Sequence, residues 1–178
     1  MNNYALAELV SSVDHVDARK RLQKCIFLLQ EAGCGLDAAY YLHLYGPYSR
    51  DVSSATDLLV SEGILEEKRG THELWGVQYS YRVTDDGRNR LKQYKETSDG
   101  QREWNNLQPF MDKFAQLAEE DLWILELAST MGFFFRHKGL PWPQAKIHTR
   151  RFKNVSPARV KCLDEAEKLA RDAIGGGA

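Results

Sequence analysis

The stretch "LHLYGPYSRD", Leu42 to Asp51, determines how the chain reverses between two helical segments. Pro47 fixes its own backbone angle and disfavours the helical region for Gly46, so this pair predicts a tight turn. Ser49 is a suitable N-cap, because its hydroxyl can accept a hydrogen bond from a backbone N–H group of the first helical turn. We therefore predict that the turn sets the direction of a helix beginning after Ser49.

The segments on both sides of this turn predict helices and one β-hairpin. In "DARKRLQKCIFLLQEAG" and "SRDVSSATDLLVSEG", apolar residues recur at the spacing of an amphipathic helix. We predict strands over Ile64–Glu67 and Val77–Val83, because the side chains of "VQYSYRV" alternate with a period of two. "KRGTHELWG" between them is predicted to be a loop. A short helix is also predicted over residues 3–13 and another in "DDGRNRLKQY". The resulting order helix, helix, short extended piece, helix, strand, hairpin, strand and helix is that of a winged helix-turn-helix.

The second half of the chain predicts helices only. "KETSDGQRE", residues 95–103, is polar and contains glycine, so we predict a linker there. "DLWILELASTMGFFF" is apolar on nearly all sides, which indicates a helix buried in the centre of the structure. The fold class is thus mainly α with a small β-hairpin wing: a winged helix-turn-helix domain over residues 1–97 and a helical C-terminal subdomain over residues 101–174, packed together. We expect the final "GGGA" to be disordered.

Composition excludes several classes of protein. The chain has 178 residues, 43% of them hydrophobic and 28% charged, which fits a globular protein with a sizeable core. A net charge of −1 gives no general attraction to nucleic acid or to an anionic membrane. No apolar run reaches the roughly 18 residues that span a bilayer, and the N-terminus has no basic start. We therefore expect no membrane partner and no secretory signal.

The residues that carry chemistry form no recognisable site. The three cysteines are odd in number and lack C-x-x-C spacing, so we predict neither a disulfide framework nor a zinc site, and a cytoplasmic location. The five histidines share no metal-binding spacing, and no nucleotide-binding or nucleophile motif is present. We predict no metal, no cofactor and no enzymatic activity. An enzyme would require distant residues that converge in the fold.

The strongest charge signal is a basic segment. Between Ala128 and Leu163 there is no acidic residue, and "KIHTRRFKN" concentrates positive charge in what we predict to be a loop-like cluster with Phe152 inside it. Such a cluster could contact an acidic protein surface, on a partner or on a second copy of the chain, or nucleic acid. We favour a protein because the overall charge is near zero. The candidate residues are Trp142, Lys146, His148, Arg150, Arg151 and Lys153.

The aromatic turn has a structural and a functional interpretation. In the structural one, Tyr45 and Tyr48 pack the turn against the core. In the functional one, Ser49 and the N–H groups at the start of the third helix hold a DNA phosphate. That helix has one arginine and three acids, fewer basic or amide groups than a DNA-reading helix usually carries. The residues predicted to contact DNA or phosphate are Tyr48, Ser49, Arg50, Lys68 and Arg69.

Four segments carry a family resemblance. "YRVTDDGRNRL" resembles the strand-to-helix junction of bacterial winged-helix regulators such as the MarR and PadR groups. Together with "RLQKCIFLLQEAG", "YLHLYGPYSRDVSSATDLLVSEGIL" and "LELASTMGFFF", it resembles the YwgA-like proteins over roughly residues 18–170. More remotely, the chain is similar to the Panacea domain and to SocA-like antitoxins. The YwgA-like resemblance implies no catalytic activity, whereas the Panacea resemblance implies the neutralisation of a toxin.

These observations lead to three hypotheses. The first is a non-enzymatic regulatory or antitoxin-like module that binds a macromolecular partner, with a protein, either a toxin or a second copy of the chain, favoured over nucleic acid. The alternative is a winged-helix DNA-binding transcriptional regulator. The third is an enzyme with an unrecognised site.

Overall fold

The computed structural model describes residues 1–72 and 76–175. They form a mainly helical protein with two small antiparallel sheets. Short 3-10 turns connect some of the consecutive helices. The helices are α1 (Asn3–Ser11), α2 (Arg19–Glu31), α3 (Arg50–Ser61), α4 (Asp85–Lys95), α5 (Ser98–Leu107), α6 (Met111–Glu119), α7 (Leu122–Lys138), α8 (Trp142–Phe152) and α9 (Lys161–Ile174). The strands are β1 (Val16–Asp17), β2 (Tyr41–His43), β3 (Gly46–Tyr48), β4 (Leu65–His72) and β5 (Gly76–Val83).

Two helices form the centre of the fold. Every residue of α2 from Leu22 to Leu29, and every residue of α7 from Ile124 to Phe134, is buried. The prediction of a buried central helix is confirmed for α7. For α2 the amphipathic pattern underestimated burial, because α7, α6 and strand β3 cover the side that the pattern assigned to solvent. Gly132 permits a close approach of α7 and α9, since a Cβ there would lie 2.6 Å from Ile174 Cδ1.

The larger sheet has the strand order β1-β5-β4. Strands β4 and β5 pair along their full length, from Leu65 opposite Val83 to His72 opposite Gly76. The strands are thus longer than predicted, and most of "KRGTHELWG" is strand rather than loop, because the two arms of the hairpin continue to satisfy each other's backbone groups beyond the buried part. Residues 73–75 of that segment, and all but the first residue of the terminal "GGGA", lie outside the described part of the chain.

The stretch at Leu42 to Asp51 forms a second hairpin, in which Tyr41 lies opposite Tyr48 and His43 opposite Gly46. The reversal occurs at Leu44 and Tyr45, so the prediction that the Gly-Pro pair itself makes the turn is wrong. Gly46 is nevertheless required, because its φ of +88° strongly favours glycine.

Ser49 is the N-cap of α3, as predicted: its hydroxyl accepts a hydrogen bond from the backbone N–H of Val52 at 3.3 Å. The predicted linker over residues 95–103 is mostly helix, since Thr97 caps α5 and only two residues separate α4 from α5. Within residues 1–72 and 76–175, no helix is both long and apolar enough to cross a bilayer.

The first prediction concerns Gly46. A Cβ at this position would lie 2.6 Å from Thr130 Oγ1, in addition to the strain of a positive φ. Gly63 has a similar φ of +72° with nothing within 4 Å of such a Cβ. Gly63→Ala should therefore lower the free energy of unfolding by about 1 kcal/mol from backbone strain alone. Gly46→Ala should lower it by clearly more. Urea unfolding of both variants measures the difference. Equal costs would show that the hairpin can move away from α7 without loss.

Candidate functional site

Two consecutive polar side chains of α2 form hydrogen bonds with the backbone of the β2–β3 hairpin and of the residue that follows it. Gln23 forms a pair of hydrogen bonds with Ser49: its Nε2 donates to the Ser49 carbonyl and its Oε1 accepts from the Ser49 N–H, each at 2.9 Å. Lys24 Nζ donates to the carbonyl of Pro47 at 2.7 Å. Both side chains are buried, so these bonds fix the backbone of β3 onto the central helix.

The tip of the hairpin is held by a third side chain, from the end of α8. Lys153 Nζ donates to the carbonyl of Leu44 at 2.6 Å and to Glu126 Oε1 at 2.7 Å. Lys20 Nζ lies 3.4 Å from the other carboxylate oxygen of Glu126. The side chains of Lys153 and Glu126 are only 3% and 6% exposed. The turn therefore rests on a buried ion pair between α7 and α8.

Two of the lysines near this carboxylate, Lys24 and Lys153, are buried enough for their pKa values to be lowered. Burial lowers the pKa of Lys24 to about 7, with smaller contributions in the same direction from Lys153 and Lys20, while Glu126 raises it. Burial also lowers the pKa of Lys153, opposed by its hydrogen bond to Glu126. The charge of Lys24 therefore changes near neutral pH.

The turn of this hairpin and the end of α8 expose apolar side chains to solvent. Leu44 is 76% exposed and Tyr45 54%, so the prediction that Tyr45 packs against the core is wrong. Phe152 is 39% exposed, and its ring centroid lies 5.4 Å from Lys153 Nζ, the atom that contacts the turn. We call Leu44, Tyr45 and Phe152 the tip surface. Exposed apolar groups on a backbone fixed by buried bonds are typical of protein contact surfaces.

The predicted basic segment is not a loop. It forms α8, which begins at Trp142 with Pro143 in its first turn, the place where proline suits a helix. Trp142 is buried and stacks on Phe135 with 4.2 Å between ring centroids, so it is not available to stack on a base. Lys146 contacts Asp164 and, at 3.0 Å, Glu167, and Lys153 contacts Glu126. These three predicted binding residues are therefore engaged inside the chain.

The other residues of the basic segment remain on the surface. His148, Arg150 and Arg151 are exposed, and the two arginines immediately precede Phe152 in the last turn of α8. The structure thus separates the segment into an inner set that contacts acids of the same chain and an outer set that is exposed. A binding role for the outer set stays a prediction.

The predicted DNA contacts are arranged less favourably. Ser49 is fully buried and its hydroxyl is occupied as the cap of α3, so it is not available to a phosphate. Tyr48 is half-buried, and Arg50, Lys68 and Arg69 are exposed. Lys68 Nζ lies 3.9 Å from Glu66. The exposed side of α3 also carries acids, namely Asp51, Asp57 and Glu62.

Sequence reasoning missed the residues beneath the hairpin. The apolar spacing of "DARKRLQKCIFLLQEAG" does not distinguish Gln23 and Lys24 from exposed polar residues, and Glu126 lies in a segment predicted to be apolar on nearly all sides. A detectable signal was present, since Lys20 and Lys24 are four residues apart and share one helical face. Among the described residues, no cluster of three or more histidine, cysteine or acidic side chains could hold a metal ion.

Comparison with known proteins gives one informative similarity. No protein-family model matches the chain. The chain is similar to "Uncharacterized protein YwgA" of Bacillus subtilis (strain 168), with 31% identity over 85 residues, which is 46% of this chain and 49% of that protein. The chain therefore spans about half the length of the curated relative it matches.

The second prediction concerns the charge of Lys24. Its pKa is about 7 in the folded protein against an ordinary 10.5, so between these values the unfolded chain binds more protons. Stability contributed by this group therefore rises with pH across that window and is constant below it. Lys24→Met removes the effect. The stability of the wild-type protein relative to Lys24→Met should grow from pH 7 to pH 10, measured by urea unfolding. Parallel pH curves for the two proteins would contradict the lowered pKa.

Proposed function

We propose that this chain is a non-enzymatic regulatory module, antitoxin-like in type, that binds a protein partner through the tip surface. The observation that carries this proposal is the exposure of Leu44, at 76%, on a turn whose carbonyl is held by the buried Lys153. A mobile loop would lose conformational entropy on binding, whereas this backbone is already ordered. The apolar side chains are thus presented at low entropic cost.

The charges beside the tip surface indicate the chemistry of the partner. Lys20 is 41% exposed beside the ring of Tyr45, and the exposed Arg150 and Arg151 precede Phe152 in the last turn of α8. The chain has no acidic residue between Ala128 and Leu163. An apolar patch with a basic margin matches a protein surface that offers an apolar pocket with acidic residues around it.

We further propose that residues 1–97 form a winged helix-turn-helix domain. The order of α1, β1, α2, α3, β4 and β5 and the strand order β1-β5-β4 support this assignment. The similarity to YwgA supports membership of a YwgA-like group, and the more remote Panacea and SocA-like resemblance is the basis for an antitoxin-like role.

A DNA-binding regulator is the second candidate, because the same topology is used for DNA recognition and Lys68 and Arg69 are exposed on β4. The acids on α3 argue against it, since that helix would approach the major groove in such a domain. A DNA-binding chain should retain duplex DNA at low salt and lose it steeply as salt rises.

The third prediction tests the tip surface. A tagged chain is cross-linked in its native host, the captured protein is identified and purified, and binding is then measured with purified components. Leu44→Glu should weaken this binding by at least about tenfold, because it places a charge in the apolar contact. Leu58→Glu is the matched control: Leu58 is 43% exposed but lies on α3. It should change the affinity less than about twofold.

A double variant of the exposed arginines completes this test, through its association kinetics and its unfolding midpoint. Reversal of Arg150 and Arg151 to Glu should slow association and reduce its salt dependence while leaving the unfolding midpoint unchanged. The proposal fails if Leu44→Glu binds as well as Leu58→Glu. It also fails if the wild-type chain retains only duplex DNA and loses it on reversal of Lys68 and Arg69.

A further inference from the structure

A cavity of roughly 200 Å³ lies between the first half of α2, the β2–β3 hairpin and α3. Its walls include four aromatic rings, those of His43, Tyr45, Tyr48 and Tyr81. Lys20 and Lys24 also line it. The cavity therefore combines aromatic walls with cationic side chains, the arrangement expected for an apolar ligand with one charged group.

Among the described residues, Lys20 and Lys24 each donate one hydrogen bond, fewer than the three that an ammonium group can donate. The acceptor of Lys20 is Glu126, at 3.4 Å, which Lys153 also contacts at 2.7 Å. The acceptor of Lys24 is the neutral carbonyl of Pro47. An anion in the cavity could accept the remaining hydrogen bonds.

The other charged groups around the cavity restrict the anion. Arg19 is engaged by Glu67 at 2.7 Å, and Glu67 also accepts a hydrogen bond from the Tyr81 hydroxyl at 2.5 Å. Asp57 of α3 lines the cavity too and would repel a second negative charge. Lys20 and Lys24 are thus the cations positioned to meet a ligand, and a monoanion suits the site better than a dianion.

We propose that this cavity binds a small monocarboxylic acid, with the carboxylate against Lys24 and Lys20 and the apolar body between the tyrosine rings. Lys20 Nζ lies 4.7 Å from the Tyr45 ring centroid, so one ligand can contact both this ammonium group and the aromatic wall. This site is distinct from the tip surface, because the tip surface faces solvent and the cavity lies beneath the hairpin, although Tyr45 and Lys20 lie at both.

The position of Lys24 gives the site a proton signature. Burial lowers the pKa of Lys24 to about 7, so at pH 8 the amine is mostly neutral. A carboxylate beside it favours the ammonium form, so binding at pH 8 takes up as much as about one proton per ligand. For the same reason affinity falls as pH rises from 7 to 9.

Isothermal titration calorimetry with benzoate tests the proposal. Titrations at pH 8 in two buffers with different ionisation enthalpies measure proton uptake directly. Benzamide, which has nearly the same shape without the charge, should bind at least about tenfold more weakly. Inorganic phosphate should also bind more weakly, because it carries close to two charges at this pH.

Three variants locate the site. Lys24→Met should abolish the proton uptake. Lys20→Met keeps Lys24 and alters a side chain that is 41% exposed, so the fold is retained while benzoate affinity falls several-fold. Lys92→Met, on the exposed side of α4 and outside the cavity lining, should bind benzoate like the wild-type protein. The proposal is overturned if benzoate does not bind, if benzamide or phosphate binds equally well, or if Lys20→Met and Lys24→Met titrate like Lys92→Met.

Discussion

The hydrogen bonds from Gln23 and Lys24 to the backbone of the β2–β3 hairpin are the constraint on which the arrangement of the fold depends. Two polar side chains in a fully buried stretch of helix must find partners, and so must the backbone of a short hairpin that covers that helix. The two side chains supply the hydrogen-bond partners of the backbone and the backbone supplies theirs, with donor–acceptor distances of 2.7 to 2.9 Å. Ser49 takes part in both this contact and the cap of α3, so the direction of α3 follows from it.

A second set of bonds joins the two halves of the chain through the same hairpin. Glu126 belongs to α7 and Lys153 follows α8, yet they meet beneath the turn at Leu44, which accepts a hydrogen bond from Lys153. Removing one member of such a buried pair leaves the other charge without compensation, which is more costly than the pair is favourable. We infer that the hairpin is rigid because its polar groups have few alternative partners, and that its exposed side chains are ordered for that reason.

The two proposals use opposite sides of this hairpin. The outer side presents Leu44 to solvent, and the inner side closes a cavity that Lys24 lines. Tyr45 is common to both, since it is half exposed and also lines the cavity. Neither proposal requires DNA, which agrees with the acidic residues exposed on α3 and with a net charge of −1.

The sequence by itself determined the features that depend on local chemistry: the helices α2 and α3 from their periodicity, the buried helix α7 from its nearly continuous apolar run, and the N-cap at Ser49. Only the tertiary structure decided that the basic segment forms α8, with Lys146 in contact with an acid of α9 and Lys153, just after the helix, in contact with an acid of α7. It also decided that Lys24 and Glu126 belong to one buried cluster. Periodicity records which face of an element is buried, because burial repeats with the helical turn. It carries no information about which distant charge lies opposite, since that depends on how separate elements pack, and the Lys153 to Leu44 bond spans 109 residues of chain.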